Sequence, residues 1–210
     1  MSLINFPTIL ATTSQKKRDE WNAIAKELAG DGAPEFTLLD EKVGFVELAT
    51  LSVIEVIITK ALDAYLKLGY PVLVEDSSFE IEALGGFPGP LYAHTEKTVT
   101  NAGLCGLIKY NPNRRVSAKV VIGFYDPAEH TIFTAIGELA GSIPKDPQGP
   151  DSFGYDNIII PEGHLRTLAE LGSEVKNRIS MRCTAIDMLL GGYWTRHKVT
   201  ESPLWRPGLL

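Results

Sequence analysis

Short apolar runs alternate with segments of helical periodicity along most of this 210-residue chain. An apolar run at 8–12 precedes a segment that Ser14 can cap and Gly30 can end, with apolar side chains recurring at helical spacing between them. The same order returns with a strand at 36–39 and a helix at 52–69. Because each such unit buries its strand in a sheet and its helix against that sheet, the alternation predicts an α/β protein.

The second half of the chain adds an antiparallel element. Two β-rich runs, at 116–125 and 131–139, flank a turn dipeptide at 126–127 and predict a hairpin inserted into the α/β order. A last helix is expected from 173 to 190, where a glycine pair ends it. The expected boundaries are one domain over 1–190 and a C-terminal extension over 191–210, whose tryptophans pack on the body of the protein or on a partner.

The composition excludes several classes of function. Hydrophobic residues make up 44% and charged residues 22%, which is typical of a globular protein with a sizeable core. The net charge of −6, without a basic arm, argues against a protein that neutralises many phosphates of a long nucleic acid. No apolar run suggests a membrane span or a signal peptide. Cys105 and Cys183 lack metal-ligand spacing and are expected to be buried free thiols, so we expect a cytoplasmic protein.

Polar residues collect where the predicted strands end. The run 72–74 is apolar enough for a parallel strand covered on both faces, and Glu75 and Asp76 follow it directly. These acids are either strand caps or ligands of a magnesium ion, which prefers carboxylate oxygens beside a substrate phosphate. After the first strand, backbone amides with Thr12, Ser14 and Lys17 would suit phosphate, and a plain capped helix is the alternative.

Two later segments carry further candidates. The stretch 152–163 has an aromatic residue and an acid on either side of Gly154, which suits a planar ring, although a turn with core aromatics is equally consistent. The helix at 174–189 places Lys176 and Ser180 on one face and turns Arg182 toward its apolar side. An arginine there either has a partner or ligand, or extends to solvent at the helix edge.

Four motifs in order resemble one known family. ILATTSQKK, VLVEDSSFEIEALGGFPGP, FGYD and EVKNRISMR are similar to the phosphate loop, the acidic loop, the base-pocket signature and the recognition helix of the inosine triphosphate pyrophosphatase family. The similarity runs from about Ile9 to Leu190. It implies an elongated α/β fold with a mixed central sheet, flanking helices and two lobes around a nucleotide cleft. It also implies a homodimer and Mg²⁺-dependent hydrolysis of ITP, dITP or XTP to monophosphate and pyrophosphate, with neither nucleic acid nor membrane as a partner.

The resemblance assigns roles to individual residues. Asp76, Glu47 and Lys60 would be catalytic, and Glu47, Glu75 and Asp76 would hold the metal. Substrate binding would fall to Thr12, Ser14, Lys17, Ser77, Phe153, Gly154, Tyr155, Asp156, Lys176, Ser180, Met181 and Arg182.

The sequence departs from the family motifs at two of these positions. Ser14 stands where the family has asparagine, so it supplies a hydroxyl and no amide. Met181 stands where the family has the histidine that helps to recognise the 6-oxo group, and a thioether cannot donate a hydrogen bond. The motifs thus predict largely intact phosphate chemistry, with a related pyrophosphatase of changed base preference or a nucleotide-binding protein without turnover as alternatives.

Overall fold

The structure, a computed structural model, describes residues 6–12, 14–39, 43–150 and 154–208. These residues form a mixed α/β fold in which a central sheet carries helices on both faces, as predicted. Its strands are β1 Ile9–Leu10, β2 Thr37–Leu38, β3 Val74–Ile81, β4 Pro88–Gly89, β5 Arg115–Asp126, β6 Thr131–Ser142, β7 Ile160–Pro161 and β8 Thr195–Lys198. Its α-helices are α1 Gln15–Ala29, α2 Val53–Leu68, α3 Tyr92–Leu107, α4 Leu168–Ile179 and α5 Met181–Gly191.

The sheet combines parallel and antiparallel pairing. β1 pairs in parallel with β2, and a parallel bridge between Leu10 and Leu73 joins β1 to the start of β3. The larger sheet is antiparallel in the order β4-β3-β5-β6-β7, with β8 also paired to β6. The predicted hairpin is confirmed as β5 and β6, which pair along their whole length from Arg115 opposite Ser142 to Asp126 opposite Thr131.

Each face of the sheet has its own hydrophobic core. Along β5, Val120, Ile122 and Phe124 belong to one cluster, whereas Val121 and Tyr125 belong to the other. This division follows from the period of two along a strand, which sends successive side chains to opposite faces. Helix α2 supplies the helical residues of the second cluster, whereas α1, α3, α4 and α5 supply those of the first.

The first two helices begin and end as the sequence predicts. The Ser14 side chain accepts a hydrogen bond from the Lys17 amide, and the Ser52 side chain accepts one from the Glu55 amide. Gly69 ends α2 in the left-handed conformation, with φ of 78°. Ser52 and Glu55 have the spacing of a capping box, but its reciprocal bond is not formed: the Glu55 carboxylate accepts from the Thr50 hydroxyl at 2.8 Å, and the Ser52 amide donates to that hydroxyl at 3.2 Å.

The prediction that a strand ends at Glu75 and Asp76 is wrong. β3 begins at Val74 and continues to Ile81, so both acids lie inside a strand that pairs antiparallel with β5. The apolar run looked parallel because Leu73 pairs with β1, but the pairing changes to β5 one residue later. The two acids therefore project from a rigid sheet rather than from a loop.

The prediction of one continuous C-terminal helix is also wrong. Ser180 is extended, with φ of −70° and ψ of 153°, and separates α4 from α5. Its amide donates to the Lys176 carbonyl and its hydroxyl accepts from the Cys183 amide, so one residue closes one helix and caps the next. A capping box at Thr167 starts α4 earlier than predicted, and Gly172 interrupts it with φ of 82°.

The C-terminal segment packs on the body of the protein. β8 pairs with β6, and the Trp194 ring lies edge-on to Phe124 at 5.4 Å between centroids. Both cysteines are free and buried, as predicted. Within the described ranges, no helix has the length and apolar character to cross a membrane.

Candidate active site

A cleft of roughly 530 Å³ brings most of the predicted residues together, a size suited to a small-molecule ligand. β3, the start of α3, the loop at 154–156 and the junction of α4 with α5 contribute to its walls. Its lining includes the predicted residues Lys17, Glu47, Lys60, Asp76, Ser77, Gly154, Tyr155, Asp156, Lys176, Met181 and Arg182.

The two adjacent acids of β3 have different partners because a strand alternates its faces. Glu75 bonds to Arg182 of α5, on the side of the first core, and Asp76 lies near Lys60 of α2, on the side of the second. One dipeptide therefore supplies two chemically different carboxylates.

Glu75 is held by cations and by an indole. Its carboxylate accepts from Arg182 at 2.9 and 3.0 Å and from the Trp21 indole N–H at 2.6 Å, and Lys17 lies 3.2 Å away. Burial alone raises the pKa of the Glu75 carboxyl, but the charges of Arg182 and Lys17 outweigh burial and hold that pKa well below its usual range. Glu75 is thus a permanent anion that orients its neighbours.

Lys60 lies between the other two predicted metal ligands. Its ammonium is 3.6 Å from the Asp76 carboxylate and 3.7 Å from that of Glu47. The Lys60 side chain is 12% exposed and that of Asp76 is 22% exposed, whereas that of Glu47 is 61% exposed, so Lys60 and Asp76 are largely withdrawn from water and Glu47 closes the cluster on the solvent side. The Lys60 ammonium thus offsets part of the negative charge of Glu47 and Asp76.

The Asp76 carboxyl has a pKa close to neutral pH. Burial raises the pKa of Asp76 to about 6 from an ordinary 3.8, although the charges of Lys60 and Lys17 oppose the rise and those of Glu47 and Glu75 add to it. A carboxyl that titrates near neutral pH can both accept and return a proton. Such perturbed groups cluster at active sites.

The loop that carries Glu47 is anchored to α2. The Asp63 carboxylate accepts from the Val46 amide at 2.7 Å, and Lys67 donates to the Gly44 carbonyl at 2.7 Å. Lys67 and Asp63 also form an ion pair at 2.8 Å. These contacts hold the segment just before Glu47 against the helix that presents Lys60.

The predicted phosphate loop lies beside the cleft. Thr12 and Lys17 line a small cavity of about 50 Å³ together with Lys60 and Glu75. The Thr12 hydroxyl accepts from the Ser14 amide at 3.2 Å, and the Ser14 hydroxyl caps α1. Lys17 thus enters both cavities, whereas Ser14 has the helix-capping role that was the alternative prediction.

Another part of the cleft lining combines aromatic rings with a buried ion pair. Tyr92 and Tyr155 lie edge to face at 5.0 Å between centroids. Lys176 donates to Asp156 at 2.8 Å. Burial raises the pKa of Asp156, and the charge of Lys176 opposes that rise. Met181 is 4% exposed and contributes an apolar surface to the same wall.

One predicted substrate contact, Ser180, is not among the described residues that line the cleft. Ser180 is fully buried and is used to cap α5, so the structure gives it a local structural role. Phe153 lies outside the described residues, and its stacking on a base stays a prediction.

The sequence reasoning missed several residues of the site. Glu20 contacts Arg182 at 2.8 Å and lies 3.7 Å from Lys176, which links the two cations of the recognition helices. Trp21 was read only as a core residue, but its indole N–H also fixes Glu75. Glu20 follows Lys17 by three residues on a helix, and that spacing was the available signal.

A second groove, of about 720 Å³, is lined by residues of β3, β5, β6 and β7. Both of its lysine and arginine side chains pair with acids of the same lining: Lys119 contacts Glu80 at 2.7 Å and Arg115 contacts Glu82 at 2.5 Å. We therefore assign the chemistry to the smaller cleft, in which a carboxyl with a shifted pKa meets several cations.

The fold and site define an α/β protein with a charged cleft of nucleotide size. A family model described as the Ham1 family matches residues 8–191, and the chain belongs to that family.

Two relatives and one solved structure are similar to this chain. A Methanopyrus kandleri protein named dITP/XTP pyrophosphatase is 44% identical over 126 residues, which cover 60% of this chain and 66% of that protein, just under two thirds of its length. A Scheffersomyces stipitis protein named inosine triphosphate pyrophosphatase is 35% identical over 154 residues, which cover 73% of this chain and 78% of that protein. The structure of a HAM1 protein from Coxiella burnetii matches with a TM-score of 0.75 at 28% identity, covering 90% of this chain and 98% of that one. These findings confirm the resemblance inferred from the motifs.

Proposed function

We propose that the protein hydrolyses non-canonical purine nucleoside triphosphates such as ITP, dITP and XTP to the monophosphate and pyrophosphate. The observation that carries this proposal is Lys60, which lies between Asp76 and Glu47 in a cleft whose lining also includes Tyr155 and Asp156. The names of the two relatives support the same substrate class. Removing such nucleotides from the cytoplasmic pool would keep them out of nucleic acid.

The chain's own groups suit attack at the α-phosphorus. Asp76 would accept a proton from a water molecule and orient it, because its raised pKa makes it a better base than an ordinary aspartate. Lys17 and Lys60 would neutralise the triphosphate oxygens, with Thr12 at the adjoining small cavity. Charge neutralisation matters because the substrate and the transition state both carry several negative charges.

A divalent cation fits the donor set of two carboxylates. Among the described residues, no group of three or more His, Cys, Asp and Glu side chains is arranged to hold a metal. Magnesium is commonly held by one or two carboxylates plus substrate phosphate, and Glu47 with Asp76 would meet that need. Bound Mg²⁺ would stabilise charge on the phosphate oxygens. We leave Glu75 out of this ligand set because Arg182, Lys17 and Trp21 occupy its oxygens.

The expected product distinguishes this reaction from stepwise dephosphorylation. In a panel of ITP, XTP, dUTP and the standard triphosphates with Mg²⁺, pyrophosphate should be the primary product, because the proposed base and cations surround the α-phosphorus. Pyrophosphate and orthophosphate are scored separately by ion chromatography. Chelation of the metal should abolish turnover. Orthophosphate as the first product, or turnover that persists in chelator, would contradict the assignment.

Met181 favours a second form of the proposal, a changed base preference. Asp156, Lys176 and Arg182 would still contact the edge of a base, and Phe153 is proposed to stack on its face. Ser180 is buried and would support the helix junction without contacting the base. The thioether, however, offers no hydrogen-bond donor. A site that hydrogen-bonds a polar group of its substrate rejects analogues that lack this group. Without a donor at position 181, discrimination between ITP and ATP should therefore be weaker.

Replacing Met181 by histidine should raise the ratio of kcat/KM for ITP over ATP by roughly tenfold, about 1.4 kcal/mol, as expected of one hydrogen bond. Steady-state kinetics on both nucleotides measure the ratio. Met188→His is the matched control, since Met188 is on the same helix and packs against the first core rather than lining the cleft. An unchanged ratio in an active Met181→His variant would show that position 181 does not read the base.

We also propose a homodimer, the assembly implied by the family resemblance. Light scattering coupled to size exclusion tests it, and a mass of one chain, 23.0 kDa, would contradict it.

A further inference from the structure

Asn101 of α3 is bonded in three directions, to its own helix and to the loop 154–157. The Tyr92 hydroxyl donates to its side-chain oxygen at 2.7 Å. Its side-chain nitrogen donates to the Gly154 carbonyl at 3.0 Å and to the side-chain oxygen of Asn157 at 2.7 Å. Both N–H groups and the carbonyl of one amide are therefore in use.

These bonds hold both ends of the loop 154–157. Tyr155 and Asp156 lie between the two bonded residues, and both line the cleft. Asn101 is not among the described residues that line it. Its contacts thus act on residues that face the ligand rather than on the ligand itself.

The backbone of α3 is distorted immediately before Asn101. Thr100 has φ of 64° and ψ of 165°, which breaks the helix. A β-branched residue at positive φ is a strained outlier, and it persists only where its surroundings impose it. The Thr100 hydroxyl accepts from the Gly103 amide at 3.3 Å and so restarts the helix, with Asn101 as its first residue.

The loop is shaped to receive these bonds. Gly154 has φ of 64°, in the region that favours glycine, and its carbonyl meets Asn101. The Tyr92 phenol is buried at 5% exposure. Burial also raises the pKa of Tyr92, so the hydroxyl remains a donor toward Asn101 at any working pH. Asn101 thereby connects α3 to the loop 154–157 through two hydrogen bonds.

We propose that Asn101 is a positioning residue that fixes the loop 154–157 and thereby sets the affinity of the base pocket. The statement about nucleotides rests on the proposed function. Loss of Asn101 should weaken binding of the base more than it slows phosphate chemistry, because Asp76, Lys60 and Glu47 are held by separate contacts.

Asn101→Asp tests this proposal with little change in volume. The new oxygen would face the Gly154 carbonyl and the Asn157 side-chain oxygen, so two donated bonds become repulsive contacts. We expect KM for the preferred nucleotide to rise about tenfold or more while kcat stays within about threefold. Hydrogen–deuterium exchange at 154–158 should accelerate in the nucleotide-free protein.

Asn22→Asp is the matched control. Asn22 also bonds the backbone of a distant residue, donating to the Phe36 carbonyl at 3.0 Å and accepting from its amide at 2.8 Å, but it does not line the cleft. The Asn22→Asp variant should lose about as much stability as Asn101→Asp, but its KM should not rise. If Asn101→Asp fails to fold, Asn157→Ala removes one of the same bonds and should shift KM in the same direction by less.

The outcomes separate the two proposals. Unchanged KM and exchange in folded Asn101→Asp, or a loss of kcat at constant KM, would overturn the positioning role. Absence of pyrophosphate release by the unaltered protein would overturn the proposed function instead. In that case, exchange at 154–158 and calorimetric binding of ITP decide the role of Asn101, which an unchanged affinity would refute.

Discussion

Asp76→Asn is expected to lower kcat by about 10²–10⁴-fold and to stabilise the nucleotide-free protein. The loss of turnover follows from the loss of a base whose pKa lies near 6. In the unaltered protein, turnover should fall in acid, because a protonated Asp76 carboxyl can neither accept a proton nor hold a cation. Pyrophosphate release between pH 5 and 8 measures both effects.

The contribution of Asp76 to stability depends on pH in the opposite sense to that of an aspartate whose pKa is lowered by folding. Folding raises the pKa of Asp76 from an ordinary 3.8 to about 6, so the stability that its proton supplies is complete below 3.8 and is lost as the pH rises through 6. At pH 7 the buried charge therefore destabilises the fold. Since one pKa unit corresponds to about 1.4 kcal/mol, asparagine should recover on the order of 1–3 kcal/mol.

Denaturant unfolding of the metal-free protein at pH 7 measures this gain. Asp187→Asn is a suitable control, because Asp187 is exposed on α5 and does not line the cleft, so neither turnover nor stability should change much. Near-normal activity of Asp76→Asn would show that this carboxylate is a structural residue of β3.

Glu75→Gln is expected to destabilise the protein by about 3–5 kcal/mol, because it leaves the buried Arg182 without its bidentate partner. Arg182 is 3% exposed, so water cannot replace the lost carboxylate. For a chain of this size, such a loss lowers Tm by at least about 6 °C. Differential scanning calorimetry measures it.

Glu80→Gln is the matched control on the same strand. Glu80 also pairs with a cation, Lys119 at 2.7 Å, but the two side chains are 25% and 23% exposed. Its replacement should cost at most about 1 kcal/mol. Equal losses from the two variants would show that the Glu75 network contributes no more than a surface pair.

The pH dependence of the Glu75 contribution follows from its lowered pKa. Its stabilisation is complete above the ordinary value of 4.5 and is lost as the pH falls below it toward the lower folded pKa. Acid unfolding of Glu75→Gln should accordingly be less steep than that of the unaltered protein.

Local signals predicted much of the fold. Ser14, Ser52 and Gly69 were identified as helix ends because each makes its hydrogen bonds within a few residues of itself. The hairpin was equally visible, since alternation and a turn dipeptide are short-range patterns. Ser180 was missed as a helix break because its sequence context is helical on both sides and only its two cap bonds reveal the interruption.

Long-range partners could not be read from the sequence in the same way. Glu75 and Arg182 are 107 residues apart, and nothing local indicates that their carboxylate and guanidinium meet. The family motifs identified both residues but did not indicate that their side chains meet. The actual partners of Glu75 depend on which face of β3 it occupies, and the reading of 72–74 as a parallel strand with a terminal dipeptide obscured that alternation.

The strand β8 has a consequence for how the molecule meets its own copies. Without it, residues 131–134 of β6 would present unpaired amides and carbonyls beside the aromatic rings of Phe133 and Phe124, and such an edge invites pairing with another chain. β8 replaces that edge with four residues, among them Arg196 and Lys198, whose charges and short length discourage further strand addition. This segment lies beyond the region that the family model matches, and its pairing leaves residues 131–134 of β6 without a free edge.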